Sequence, residues 1–160
     1  MLSDIEVLDR PDDGYWMAKA YRIPANADGD AVPGAPAGET VPITRMVTRS
    51  WITSHADGAR VAAGQPLAVG GIAMGGDQGV ARVELSADGG TSWRDARLGR
   101  DAGRYSFRRF DADLPPPPPG PLTLMVRATN TAGQTQKLIP NWNGAGYMRG
   151  VVERLDLIVA

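Results

Sequence analysis

The chain has 160 residues, a length that accommodates one domain with a sizeable hydrophobic core, or such a domain with an added arm. Its net charge of −1, with acidic and basic residues interspersed, argues against a nucleic-acid partner. The sequence has no cysteine and one histidine, His55, which excludes disulfides and thiolate chemistry and disfavours a histidine-based triad or metal site. No apolar run reaches the ~18 residues of a membrane span, and the first residues lack the pattern of a secretory signal.

The N-terminal part is predicted to be an irregular arm and linker over residues 1–42, followed by a sandwich domain over residues 43–160. The chain begins within an extended-looking segment, as a piece cut from a longer protein would. Residues 15–22 read YWMAKAYR and hold three of the ten aromatic side chains, and this pattern fits either a short helix or an extended crossing. From Pro24 to Pro42 the sequence is rich in Gly, Pro, Ala and Asp, which favours a surface loop or linker.

A hairpin is predicted around residues 80–98. Apolar and polar side chains alternate over 80–86, as in a strand with one buried face. Asp88, Gly89 and Gly90 then supply the turn, because two glycines after an aspartate adopt the positive φ angles of a tight reversal. Trp93 opens a second alternating run and is expected to cover the end of the hairpin.

Further strands are predicted on both sides of this hairpin. Their residues are 44–53, 60–62, 65–74, 105–110, 122–129 and 151–159. Five consecutive prolines at 115–119 cannot join a sheet ladder, so they are expected to form an extended left-handed helix, as a stiff connection or as a ligand for an aromatic groove. About seven strands without a convincing amphipathic helix predict an all-β, immunoglobulin-like sandwich of the E-set type with an N-terminal irregular arm.

An ordered set of motifs carries a family resemblance. The motifs are SWIT at 50–53, ADG at 56–58, VGGIA at 69–73, RVELSADGGTSW at 82–93, VRAT at 126–129, and Trp142-Asn143. Together they resemble the C-terminal dimerisation domain of the sulfite oxidase family of molybdenum-cofactor enzymes. Residues 15–22 resemble the segment that joins the cofactor domain to this sandwich in that family. The resemblance therefore spans nearly the whole chain.

The resemblance implies a division of labour between this chain and a missing upstream domain. The upstream domain would hold molybdenum through molybdopterin and a cysteine and would oxidise sulfite or a related sulfur compound. This chain would contain no catalytic, cofactor-binding or metal-ligating residue and would pair two catalytic domains as a homodimer. The bacterial sulfite dehydrogenase branch is the more similar one, which implies a periplasmic enzyme whose export signal lies upstream, with a cytochrome as its electron acceptor.

This chain differs from the animal enzymes at one position of the resemblance. In the animal enzymes an arginine that helps to hold the anionic substrate stands where this chain has Ala145. Arg149 is the nearby arginine that could contribute to the substrate pocket, and the alternative for it is a solvated or salt-bridged strand residue. His55 is expected to be an ordinary loop residue.

Two other functions are open on the residues alone. A free-standing carbohydrate-binding or adhesion module would need a coplanar row of exposed aromatic rings, whereas Trp51, Trp93 and Trp142 lie in the motifs above, where burial is expected. A free-standing enzyme would need a nucleophile, a base and an orienting group. The aspartates at 12, 13, 88 and 101 all sit in predicted turns, where Asp has ordinary local roles. For self-association, the strand faces near Trp51 and the final strand are the predicted partner surface.

Overall fold

The computed structural model describes residues 2–160, and contacts divide them into two compact units. The smaller unit combines the chain up to Thr44 with Asn141–Met148. The larger unit combines Arg45–Pro140 with Arg149–Ala160 and contains the sandwich. The boundary predicted between residues 42 and 43 stays a prediction, and the sequence gives no sign that residues 141–148 pack with the arm.

The smaller unit contains one π-helical turn and one two-stranded sheet. The turn spans Trp16–Ala20, and β1 (Arg22–Pro24) pairs antiparallel with β2 (Thr40–Pro42). The segment after Pro140 is tied to the loop between these strands, because the Trp142 N–H donates to Asp30 Oδ1 at 2.6 Å. The side chain of Asn143, which is 7% exposed, donates through Nδ2 to the carbonyl oxygens of Gly29 and Tyr147.

The larger unit contains two sheets. The four-stranded sheet has the order β3 (Arg49–Ile52), β5 (Leu67–Met74), β9 (Arg108–Leu114) and β8 (Arg97–Leu98), all antiparallel. The five-stranded sheet has the order β4 (Ala59–Val61), β11 (Glu153–Val159), β10 (Gly120–Asn130), β6 (Val80–Ser86) and β7 (Arg94–Asp95), in which only the β4–β11 pair is parallel.

The hydrophobic core lies between the inner faces of these two sheets. Burial alternates along β5 and β9, so every second side chain points inward. The fully or nearly fully buried members include Val69, Ala73, Val83, Leu85, Phe110, Leu124, Val126, Ala128 and Leu157. Each large apolar side chain in this set contributes about 1.5–3 kcal/mol by leaving water. The fold is the predicted all-β sandwich.

A buried polar clamp ties the two sheets together near one end. Gln136 Oε1 accepts a hydrogen bond from Ser50 Oγ of β3 at 2.6 Å and another from the Ala128 N–H of β10 at 2.8 Å. Its Nε2 donates to the carbonyl oxygen of Val151, which precedes β11. Because one amide satisfies three groups that are cut off from water, the clamp avoids the cost of burying them unpaired.

The second limb of the predicted hairpin differs from the expectation. Residues 93–98 do not form one strand, because β7 pairs with β6 in one sheet whereas β8 pairs with β9 in the other. The chain crosses between the sheets at Ala96, whose N–H still donates to Val83 of β6 at 2.8 Å. Residues 105–107 also lie outside the predicted strand, since β9 begins at Arg108. The π-helical turn settles the open choice at residues 15–22 in favour of a short helix.

Candidate interaction surface

The outer face of the four-stranded sheet carries an apolar group next to its edge. On this face Trp51 of β3 lies opposite Ile72 of β5, and Met74 lies two pairs further along, opposite Arg49. Phe107 precedes β9, is 55% exposed, and packs edge-on against Trp51 with ring centroids 6.0 Å apart. We call Trp51, Ile72, Met74 and Phe107 the Trp51 patch. Phe107 is the exposed member, and the other three side chains are partly buried. A contiguous apolar group of this kind on an outer sheet face is typical of a binding surface.

Two arginines and one glutamate border the Trp51 patch. The Arg49 guanidinium lies over the Trp51 ring, 4.6 Å from its centroid, and pairs with Glu153 at 2.7 Å. Arg149 also pairs with Glu153, through the same Oε1 atom. The structure therefore places Arg149 in a salt-bridged position. Its contribution to a substrate pocket stays a prediction.

The outer face of the five-stranded sheet is occupied differently. Arg127 of β10 forms two hydrogen bonds to the carboxylate of Glu84 on β6, at 2.9 and 3.0 Å. The same guanidinium stacks on the ring of Trp93, 4.0 Å from the centroid, and Trp93 Nε1 donates to the Gly90 carbonyl oxygen at 3.0 Å. Trp93 is half-buried and packs on this outer face near Met125. The ring and the Nε1–H group of Trp93 are thus occupied within the domain, so little of this side chain is available to a partner.

The loop of the Asp-Gly-Gly motif is held by the Asp88 carboxylate. Asp88 Oδ1 accepts hydrogen bonds from Ser86 Oγ at 2.7 Å and from the Ser92 N–H at 2.9 Å. Hydrogen bonds from Ser92, first from its side chain and then from its backbone, lower the pKa of Asp88 from 3.8 to about 2. Gly89 and Gly90 have φ angles of +71° and +88°, where a side chain would be strained. The motif is therefore a structural staple of the loop.

The aromatic side chains of the smaller unit do not form a flat platform. Tyr15, Trp16, Tyr21 and Tyr147 form a chain of ring contacts whose successive planes meet at 78°, 25° and 67°. A sugar-binding platform would need several rings in one plane, so this arrangement does not support the carbohydrate-binding alternative. The expected burial of Trp142 is wrong, because its ring is 41% exposed and the residue is anchored through its backbone.

Metal-binding side chains are not grouped in the part of the chain that the structure describes. Residues 2–160 contain no cluster of three or more His, Cys, Asp or Glu side chains that could hold a metal ion. His55 lies in the loop after β3, where its Nδ1 is 2.7 Å from Ser54 Oγ. No helix formed by these same residues is both long and apolar enough to cross a membrane.

Comparison with known families decides the identity of the sandwich. The family model described as the Mo-co oxidoreductase dimerisation domain matches residues 40–159. The chain belongs to this family. This dimerisation domain is 27% identical to the mitochondrial sulfite oxidase of Macaca fascicularis and 26% identical to that of Homo sapiens, in each case over 94% of this chain. The match covers only 29% of each relative, so the chain spans less than a third of their length.

A solved structure supports the same fold. The crystal structure of the sulfane dehydrogenase SoxCD from Paracoccus pantotrophus matches 91% of the dimerisation domain with a TM-score of 0.67, at 23% sequence identity and over 36% of that chain. The predicted dimerisation domain of the sulfite oxidase family is confirmed, in preference to a carbohydrate-binding or adhesion module. Of the Trp51 patch, sequence reasoning found Trp51 and missed Phe107 and Met74. The signal for Met74 is that β5 carries apolar side chains on both faces, whereas Phe107 lies before β9 and no local pattern marks its contact with Trp51.

Proposed function

We propose that this domain forms a symmetric homodimer through the Trp51 patch and thereby holds two molybdenum-cofactor catalytic domains together. The observation that carries the proposal is the ring pair on the outer face of the four-stranded sheet, formed by the partly buried Trp51 and the exposed Phe107, in a chain of the dimerisation family. In a two-fold interface the same patch meets its own copy, so an apolar group on one face is self-complementary.

The chemistry of the patch fits an interface core and its rim. Trp, Phe, Met and Arg are enriched in protein interfaces, and charged residues lie mainly at the rim. Trp51 and Phe107 provide two rigid rings, which lose little conformational freedom on binding and commonly dominate the binding free energy. Arg49 and Arg149, both paired with Glu153, lie beside the rings and would remain at the rim.

The catalytic part of the protein is proposed to lie upstream of this domain in the same polypeptide. Two observations support it: the curated relatives are more than three times as long as the matched region, and the family name refers to a molybdenum-cofactor oxidoreductase. The residues of this chain do not fit that cofactor, since the sequence has no cysteine and residues 2–160 hold no metal-binding cluster. The cofactor would therefore be bound by the upstream domain.

The whole enzyme is proposed to oxidise sulfite or a related sulfur compound, as the names of the relatives suggest. A bacterial, periplasmic enzyme with a cytochrome acceptor is the form we propose, on the resemblance of residues 142–149 to the sulfite dehydrogenase branch. The coding sequence upstream of Leu2 tests the proposed catalytic domain. An in-frame domain with a cofactor cysteine supports it, and a stop codon directly upstream contradicts it.

Sedimentation equilibrium of the 160-residue chain tests the dimer and its surface together. Phe107→Glu replaces the ring by a charge at a residue that is 55% exposed. It should therefore cost the monomer little stability and weaken the dimer at least tenfold. Ile158→Glu is the matched control, because Ile158 is 42% exposed on the outer face of the other sheet. It should leave the dimer unchanged.

Two outcomes would contradict parts of the proposal separately. A wild-type chain that stays monomeric at high micromolar concentration would contradict self-association by this domain. A dimer that survives Phe107→Glu but is dissociated by Ile158→Glu would keep the dimer and move its interface to the five-stranded sheet.

A further inference from the structure

The five prolines between β9 and β10 show a three-residue burial period. Leu114 is 4% exposed, Pro117 is buried, and Gly120 is partly buried. The prolines between these positions are exposed, in two adjacent pairs: Pro115 with Pro116, and Pro118 with Pro119. One edge of the segment therefore contacts the domain, and the other two edges face water.

This period is the one that a polyproline II helix requires. Proline fixes its own φ near −65° and drives the preceding residue into the extended or polyproline region, so consecutive prolines form a helix with three residues per turn. Both ends are fixed by sheet pairing, because Leu114 pairs with Leu67 and Gly120 pairs with Val159. The helix is thus held in one conformation before any partner arrives.

From this geometry we propose that the exposed proline pairs are a docking ridge for a protein whose groove is lined by Tyr and Trp side chains. Proteins that read polyproline helices dock PxxP segments in grooves lined by aromatic side chains. Here Pro116 and Pro119 have that spacing and are exposed, and Pro117 between them is buried against the domain. A preformed helix loses little conformational entropy on binding, which favours recognition of this ridge over a flexible proline-rich segment.

The surroundings of the ridge specify the partner further. A groove of about 240 Å³ runs beside it, lined by Pro115–Pro118 on one side and by Ser92 and Arg94 on the other. The groove can take an aromatic side chain from the rim of the partner. Arg94 and the ionised Asp88 carboxylate are both exposed at this groove, so their charges balance and the aromatic contact with the prolines selects the partner.

A WW domain with a Tyr-Trp groove serves as the probe, titrated into the 160-residue chain by calorimetry. Saturable binding is expected, and Pro116→Ala with Pro119→Ala should weaken it at least tenfold. The matched control is Pro33→Ala with Pro36→Ala. These prolines are exposed and have the same spacing, but Gly34 between them has a φ of +81°, which breaks the polyproline conformation. The control should bind as tightly as the wild type.

Two results would overturn the proposal: no saturable binding to the wild type, or equal weakening by both double substitutions. Urea unfolding reports whether the ridge variant is folded. If it is not, amide chemical shifts of the wild type with the probe decide the question. Shifts at Leu114, Gly120 and Ser92 support the ridge, and shifts confined to other residues overturn it. Self-association that is weakened by the ridge substitutions would also overturn the proposal, because the occupant would then be a second copy of this chain.

Discussion

Gly71 of β5 is the position where one added methyl group should disturb the Trp51 patch most directly. A Cβ atom on Gly71 would lie 2.1 Å from the Trp51 carbonyl oxygen and 2.4 Å from Phe110 Cζ. One of these neighbours is backbone and the other is a buried ring of the core. Gly71→Ala must therefore push β3 away from β5, displace Phe110, or do both.

The magnitude follows from these two routes. Overpacking a core costs about 1–3 kcal/mol, and loss of the packing of a buried Phe costs about 3–5 kcal/mol. We expect Gly71→Ala to lower the free energy of unfolding by about 3 kcal/mol. Gly70→Ala is the matched control, since its Cβ would meet the Phe110 carbonyl oxygen at an ordinary 3.6 Å. That substitution should leave stability unchanged or raise it by up to about 1 kcal/mol, because alanine lowers the entropy of the unfolded chain.

Urea unfolding followed by tryptophan fluorescence measures both variants. Thermal unfolding gives a second readout, because in a domain of this size a loss of about 3 kcal/mol lowers Tm by about 6–12 °C. Because Trp51 moves with β3, Gly71→Ala should also weaken the dimer relative to Gly70→Ala at a temperature where both are folded. Equal stability of the two variants would refute the reasoning, since it would mean that β3 and Phe110 accommodate the methyl group without cost.

Two further predictions concern polar groups. The lowered pKa of Asp88 means that its carboxylate stabilises the folded state above about pH 4 and that this contribution is lost as the pH falls towards about 2. The difference in unfolding free energy between the wild type and Asp88→Asn should therefore shrink between about pH 6 and about pH 2, and a constant difference would contradict the proposed hydrogen bonding. Gln136→Leu should cost about 3 kcal/mol, because it leaves buried groups on Ser50, Ala128 and Val151 unpaired. Ser50→Ala removes only one of those bonds and should cost about 1 kcal/mol; equal losses for the two variants would argue against the clamp.

Local sequence patterns were sufficient for β6 and its loop. The alternation over residues 80–86 predicts a strand with the bounds that the structure shows, Val80–Ser86. The loop also follows from local chemistry, because Asp88 bonds to Ser86 and Ser92, all within seven residues. Such features depend on side chains that are close in the chain, and a single sequence contains that information.

The switch of sheets at Ala96 could not be predicted in the same way. Residues 94–95 and 97–98 have one continuous pattern, yet they pair with β6 and β9 respectively. The partner of each short strand depends on where distant strands lie, which the alternation of polar and apolar residues does not encode. The clamp of Gln136 was also missed, because Ser50 lies 86 residues away in the chain.

The Trp51 patch was predicted in part for a similar reason. Trp51 is a large aromatic residue in a strand, so its surplus apolar area is visible in the sequence. Phe107 was predicted to lie in a strand, whereas it lies before β9 and packs edge-on against Trp51. The pairing of Arg149 with Glu153 has a short spacing, but its third member, Arg49, is 104 residues from Glu153 and becomes a neighbour only in the folded domain.

The two outer faces of the sandwich differ in a way that argues for the proposed interface. On the five-stranded sheet, Arg127 pairs with Glu84 and stacks on the Trp93 ring, so both the charge and the ring have partners within the domain. On the four-stranded sheet, charges and rings are separated along the face. Arg97 contacts Asp111 and Asp113 at the β8 side, and the Trp51 patch occupies the β3 side. A two-fold contact centred on the β3 side removes the rings from water and leaves the Arg97 cluster hydrated, which avoids the desolvation cost of burying ion pairs.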